Sequence, residues 1–60
     1  MTYTHETVNL DANGNVLGAR PYFTAADAFA RARTLFAYSA TVLRVGVREI
    51  ATGLVTEVRS

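Results

Sequence analysis

Apolar and polar positions alternate at period two near both ends of the chain and recur every three to four residues in its middle, which divides the sequence into five elements. Thr4, Glu6, Val8 and Leu10 alternate with Tyr3, His5, Thr7 and Asn9 in a run rich in threonine, tyrosine and valine, so Tyr3 to Leu10 reads as a strand. Asp11-Ala12-Asn13-Gly14-Asn15 ends it. Asn-Gly is a strong hairpin signal because both positions tolerate positive φ, and a second apolar run from Val16 to Phe23 follows. Gly18 and Pro21 weaken that second strand. Pro21 has no amide to donate, so the strand belongs at a sheet edge or stops near Arg20.

Thr24-Ala25-Ala26-Asp27 has capping-box spacing, with the Thr24 hydroxyl able to accept from the Asp27 amide and Asp27 favourable at the positive end of the helix dipole. A helix should start at Ala25. Ala25, Ala28, Phe29, Ala32, Leu35 and Phe36 form one apolar stripe, and Asp27, Arg31, Thr34 and Tyr38 the opposite face. Alanine is the strongest helix former, and its small side chain allows close approach to a sheet. After Ser39 the rhythm returns to two, as Leu43, Val45 and Val47 alternate with Arg44, Gly46 and Arg48. Gly46 inside so strong a strand predicts a bulge or a close backbone approach. Ala51-Thr52-Gly53 supplies a turn, and Leu54 to Arg59 alternates again. The expected architecture is one α+β domain over residues 1–60, ββαββ, with a single amphipathic helix packed on a small antiparallel sheet.

Parity then assigns faces. If the helix covers Leu43, Val45 and Val47, then Arg44, Gly46 and Arg48 lie on the open face. With Val8 and Leu10 inward, Tyr3, His5 and Thr7 join them; with Leu17 and Ala19 inward, Arg20 and Tyr22 do too; Glu57 and Arg59 follow from the last strand. The expected partner-binding set is therefore Tyr3, His5, Arg20, Tyr22, Arg44, Arg48 and Arg59, with Arg31, Arg33 and Tyr38 as an alternative helix patch. Arginine and tyrosine are the composition of interface hot spots and of platforms on which nucleobases stack. Outward apolar groups such as Val42, Ile50 and Val55 also offer an edge through which a second copy would make a homodimer.

Composition narrows the functional classes. At 60 residues the chain is near the lower limit for a self-supporting core, yet it has no cysteine, and its one histidine has no thiol or acidic partners at zinc spacing. No metal or cofactor is expected. Half of the residues are apolar and 18% charged, a folded composition. The absence of cysteine, of a basic and then apolar leader, and of a membrane-length apolar run leads to the expectation of a cytoplasmic protein. All six basic residues are arginine, which fits a high-GC bacterium or its phage, and the formal net charge of +1 is small for a dedicated nucleic-acid binder. His5 and Glu6 are adjacent on a strand and point to opposite faces, and Ser39 and the threonines have no second histidine or lysine to activate them. No catalytic residue is expected, and the domain is expected not to be an enzyme.

Where the alanine-rich helix runs into Ala40-Thr41-Val42-Leu43-Arg44-Val45 and a final hairpin, the chain resembles small anti-CRISPR proteins of phages and mobile elements, several of which are short, cysteine-poor and built from one helix on an antiparallel sheet. The resemblance is architectural and spans Thr24 to Arg59. It implies a non-enzymatic inhibitor that occupies a CRISPR-Cas effector complex and blocks DNA binding or nuclease recruitment. Many of those proteins are acidic, whereas this chain is slightly basic, which argues against DNA mimicry. Two other roles fit the residues. One is a nucleic-acid-binding module in which Arg20, Arg44, Arg48 and Arg59 meet phosphates while Tyr3 and Tyr22 stack on bases. The other is a phage assembly or structural subunit.

Overall fold

The computed structural model describes residues 2–38 and 44–58. It contains β1 (His5–Leu10), β2 (Val16–Tyr22), α1 (Ala25–Tyr38), β3 (Arg44–Glu49) and β4 (Val55–Val58). The strands form one sheet in the order β2-β1-β3-β4, and every neighbouring pair is antiparallel. This is the expected ββαββ α+β fold, with the helix across one face of the sheet. Leu43 and Arg59, assigned to strands by the alternation, and Val42, expected as an outward apolar group, lie outside the described residues.

Both turns follow from local chemistry. The Asp11 carboxylate accepts from the amides of Asn13 (2.9 Å) and Asn15 (2.8 Å), and from the Asn15 side chain (3.2 Å). Gly14 sits at φ 85° and donates to the Asp11 carbonyl at 3.0 Å. At the second hairpin, Gly53 at φ 74° donates to the Glu49 carbonyl at 2.7 Å. Both glycines occupy the left-handed region that residues with a Cβ rarely adopt. The strand β2 continues through Pro21 to Tyr22, which an edge position permits because a missing amide there need not break a ladder on both sides.

The helix begins as its capping residues require: the Thr24 hydroxyl accepts from the Asp27 amide at 3.2 Å, and the Thr24 carbonyl from the Ala28 amide at 3.2 Å. Ala28 and Ala32 are fully buried against Val45, Val47 and Val58, with Tyr22, Phe29, Leu35 and Phe36 packed around them. Two alanines at this contact bring the helix axis close to the sheet, and the larger residues on either side fill the flanks.

The two faces of β1 are the reverse of the parity expected for it. Val45 and Val47 belong to the core under the helix, and their register partners in β1 are Asn9 and Thr7; His5 pairs with Glu49 on the same side. Thr7 and His5 therefore lie on the helix side, and Arg20 and Tyr22, opposite Thr7 and His5, lie there too. Val8 and Leu10 point to the other face, beside Gly46 and Arg44, where they are nonetheless buried. The sheet thus has apolar residues sequestered on both faces. Leu17 is not inward either: register shifts from Asn9–Gly18 to Leu10–Val16, leaving Leu17 as the extra residue of a bulge, 67% exposed.

Candidate binding surfaces

The face away from the helix is organised by two arginine–glutamate pairs. Glu6 and Arg48 are directly opposite in register, and the guanidinium donates to the carboxylate through Nε and Nη2. Arg44 donates to Glu57 through Nε (3.2 Å) and Nη2, and its Nη1 reaches back to the carbonyls of Ala12 (3.2 Å) and Asp11 (3.4 Å). The hydrogen bonds and negative charge of Glu57 raise the Arg44 pKa. Between these pairs lies Gly46, where an added Cβ would be 3.0 Å from Val55 Cγ1 and 3.4 Å from Val8 Cγ2. Arg44 and Arg48 are thus on the open face, as parity predicts, but each is ion-paired, Arg44 with Glu57 and Arg48 with Glu6. They hold three strands and the first turn together and do not form a free cationic surface.

Four of the other sequence-predicted residues lie around the end of β2, with His5, Arg20 and Tyr22 on the helix side of the sheet. Tyr3 stacks on Phe23, with ring centroids 4.5 Å apart and planes at 15°. Both rings are nearly half exposed. Next to them, Tyr22 leans into the core cluster, and Arg20 lies one register step further along the same face. His5 is tied into this corner: its Nδ1 is 2.9 Å from the Thr4 hydroxyl, and its Nε2 is 3.8 Å from Glu49.

Thr4, His5 and Glu49 line a mostly apolar cleft with Tyr3 and Ile50. A hydroxyl, an imidazole and a carboxylate in sequence resemble a nucleophile relay, but the Thr4 hydroxyl donates to the Phe23 carbonyl at 3.0 Å. With that proton committed, Nδ1 is the donor toward Thr4 Oγ and cannot serve as its base. The grouping is a brace between the chain entry and β3. His5 partners Glu49, not its neighbour Glu6, a pairing that becomes visible only once β1 and β3 are known to be adjacent.

The proposed helix patch is divided. Arg31 faces β2 and, with Arg20, lines a groove of about 280 Å³ bordered by Thr7, Asn9, Gly18 and Leu35. Arg33 is two residues on, so it projects roughly 200° away around the helix, and its guanidinium lies 5.8 Å from the centroid of the Phe29 ring. Tyr38, at the helix end, is 85% exposed. Arg59 lies outside the described residues. Among the described residues, no group of three or more His, Cys, Asp or Glu is placed to hold a metal, and no helix is long and apolar enough to cross a membrane.

Comparison with protein-family models, curated proteins and solved structures finds no match for this chain.

Proposed function

We propose that the chain is a non-enzymatic protein-binding inhibitor, and that it engages its partner through the corner formed by Tyr3, Phe23, Tyr22 and Arg20. The observation that carries the reading is the exposed Tyr3–Phe23 stack at the end of the strand that carries Arg20, on a molecule whose other described sheet-face arginines, Arg44 and Arg48, are held in internal ion pairs. Aromatic rings held rigidly and half exposed bury large area on docking at low entropic cost, and a neighbouring arginine supplies direction. The bulge at Leu17 and the proline at 21 interrupt the outer edge of β2, so contact there is made by side chains and not by strand addition.

The specific form suggested by the architectural resemblance is an anti-CRISPR protein whose partner is a CRISPR-Cas effector complex in the cytoplasm of a phage-infected cell. The nucleic-acid reading is weaker, because Glu57 and Glu6 already neutralise two of its four phosphate-contacting arginines, Arg44 and Arg48. A homodimer keeps one supporting observation: edge strand β4 contains no proline, and Leu54, Val55 and Ile50 are exposed around it.

The test is affinity capture of the tagged chain from a CRISPR-bearing bacterial lysate, with and without nuclease, using wild type and Phe23→Ser. Effector subunits retained after nuclease and lost with Phe23→Ser are the expected result. Loss of every partner on nuclease treatment refutes it in favour of nucleic acid, and a mass doubling on sedimentation with no other partner refutes it in favour of self-assembly.

A further inference from the structure

The groove between α1 and β2 has a charge arrangement different from every other arginine site in the described structure. Arg20 and Arg31 both line it, no acidic residue does, and among the described residues neither arginine is within ion-pair distance of a carboxylate. By contrast, Arg44 and Arg48 have carboxylate partners, and Arg33 lies over a ring. Two like charges brought to one concavity repel each other, and an anion between them removes that repulsion.

A second observation points into the same groove. Thr7 lines it and is 4% exposed, yet its hydroxyl has no hydrogen-bond partner among the described residues. Among the described residues no side-chain nitrogen or oxygen that is sealed from solvent lacks a partner, so the Thr7 hydroxyl keeps an opening to the outside. Asn9 lines the groove too, so two arginines, a threonine and an asparagine from α1, β1 and β2 border one concavity. All can donate to an oxyanion, and arginine pairs are suited to gripping a planar carboxylate through paired N–H groups.

Size selects among anions. About 280 Å³ is just below the range of pockets that enclose a whole small-molecule ligand, and Tyr22 of its lining is followed in the chain by Phe23 of the exposed stack. It suits one side chain of a larger partner. We infer that the Arg20–Arg31 groove receives the carboxylate of a glutamate or aspartate on the protein that docks against Tyr3 and Phe23. This inference rests on the protein-binding reading above and assigns its polar anchor.

The experiment uses the full chain with arginine Nε–H resonances observed by NMR at low salt, where screening is weak. Four samples are titrated: N-acetyl-glutamate methylamide, its glutamine counterpart, inorganic phosphate, and the glutamate probe against Arg20→Gln. The glutamate probe is expected to shift the Arg20 and Arg31 signals and to leave Arg33, Arg44 and Arg48 unmoved. The glutamine probe should bind at least tenfold more weakly, and Arg20→Gln should abolish the response at Arg31. Equal response to both amides overturns the inference, as does phosphate saturating the two arginines at a tenfold lower concentration than glutamate. The capture experiment separates the two claims: a partner held equally well by wild type and by Arg20→Gln/Arg31→Gln overturns the groove assignment while the protein-binding reading stands. If the glutamate probe binds but no protein partner is captured, the protein-binding reading falls, and the inferred occupant falls with it.

Discussion

Replacing Gly46 with alanine adds a single methyl group, and its cost can be worked from the structure. The new Cβ would stand 3.0 Å from Val55 Cγ1 and 3.1 Å from the Thr56 carbonyl oxygen. Favourable carbon contacts lie at about 3.5–4.0 Å. Val55 is 39% exposed and can turn away, but the Thr56 oxygen belongs to the β4 backbone, which is held in the ladder opposite Val47. Relief at that atom requires β3 and β4 to separate by several tenths of an ångström. Overpacking of this kind costs about 1–3 kcal/mol, and removing the freedom of glycine from the unfolded chain returns roughly 0.4–1 kcal/mol. Taking the middle of each range, a net loss of about 1–2 kcal/mol is expected. For a domain of this size, about 1 kcal/mol moves the melting temperature by roughly 4–8 °C, so the midpoint should fall by about 4–16 °C.

Thermal and urea unfolding followed by circular dichroism measure this, with Gly18→Ala as the internal control. At Gly18 the nearest atom to an added Cβ is Asn9 Nδ2 at 4.0 Å, so that variant should be neutral or slightly stabilised. Val55→Ala in the Gly46→Ala background should recover part of the loss, since it clears Cγ1 and leaves the carbonyl contact. An unchanged or raised melting temperature for Gly46→Ala would refute the close approach of β3 and β4 on which the account of the open face depends.

Val8→Ala should destabilise by about 2 kcal/mol, comparable to Val47→Ala, because both side chains are almost wholly buried although they lie on opposite faces of the sheet; parallel urea melts compare them, and a negligible effect at Val8 would mean that only the helix side is packed. Thr24→Ala removes the helix cap and should cost about 1 kcal/mol by the same assay, with Thr24→Asp restoring most of it. The pKa of Asp11 is lowered from its ordinary 3.8, chiefly by the Asn15 amide. The unfolded chain therefore binds the proton more readily, so the stability this carboxylate contributes is complete above its unfolded pKa and is lost as pH falls through the lower folded value. Asp11→Asn should be less stable at neutral pH and show a shallower loss in acid; parallel acid titrations of the two proteins would expose an error if their slopes matched.

What the sequence made legible, and what it did not, divides along a physical line. The helix was readable from Thr24 to Tyr38 because its cap and its stripe are local, and the turns from Asn13-Gly14 and Gly53 because positive φ is a local demand. The faces of β1 were not, because Thr7 and Val8 are both acceptable burial candidates, and parity within one strand has no origin until a neighbour fixes it. The order β2-β1-β3-β4 sets that origin through pairings forty residues apart in sequence, and the same pairings put Glu6 beside Arg48 and Glu49 beside His5. Site residues chosen by composition were consequently sorted into two kinds: Arg44 and Arg48, whose charge is consumed, and Arg20 and Arg31, whose charge is not. One clue to the first kind was present in the chain. A glycine in the middle of a strong strand marks a place where neighbouring side chains lean in from both sides, here Val8 and Val55, so its face is close-packed even without a helix on it. Arginines at the second position to either side of such a glycine stand at the rim of a packed patch, where an uncompensated charge is costly, and carboxylates from the adjoining strands are the residues to expect beside them.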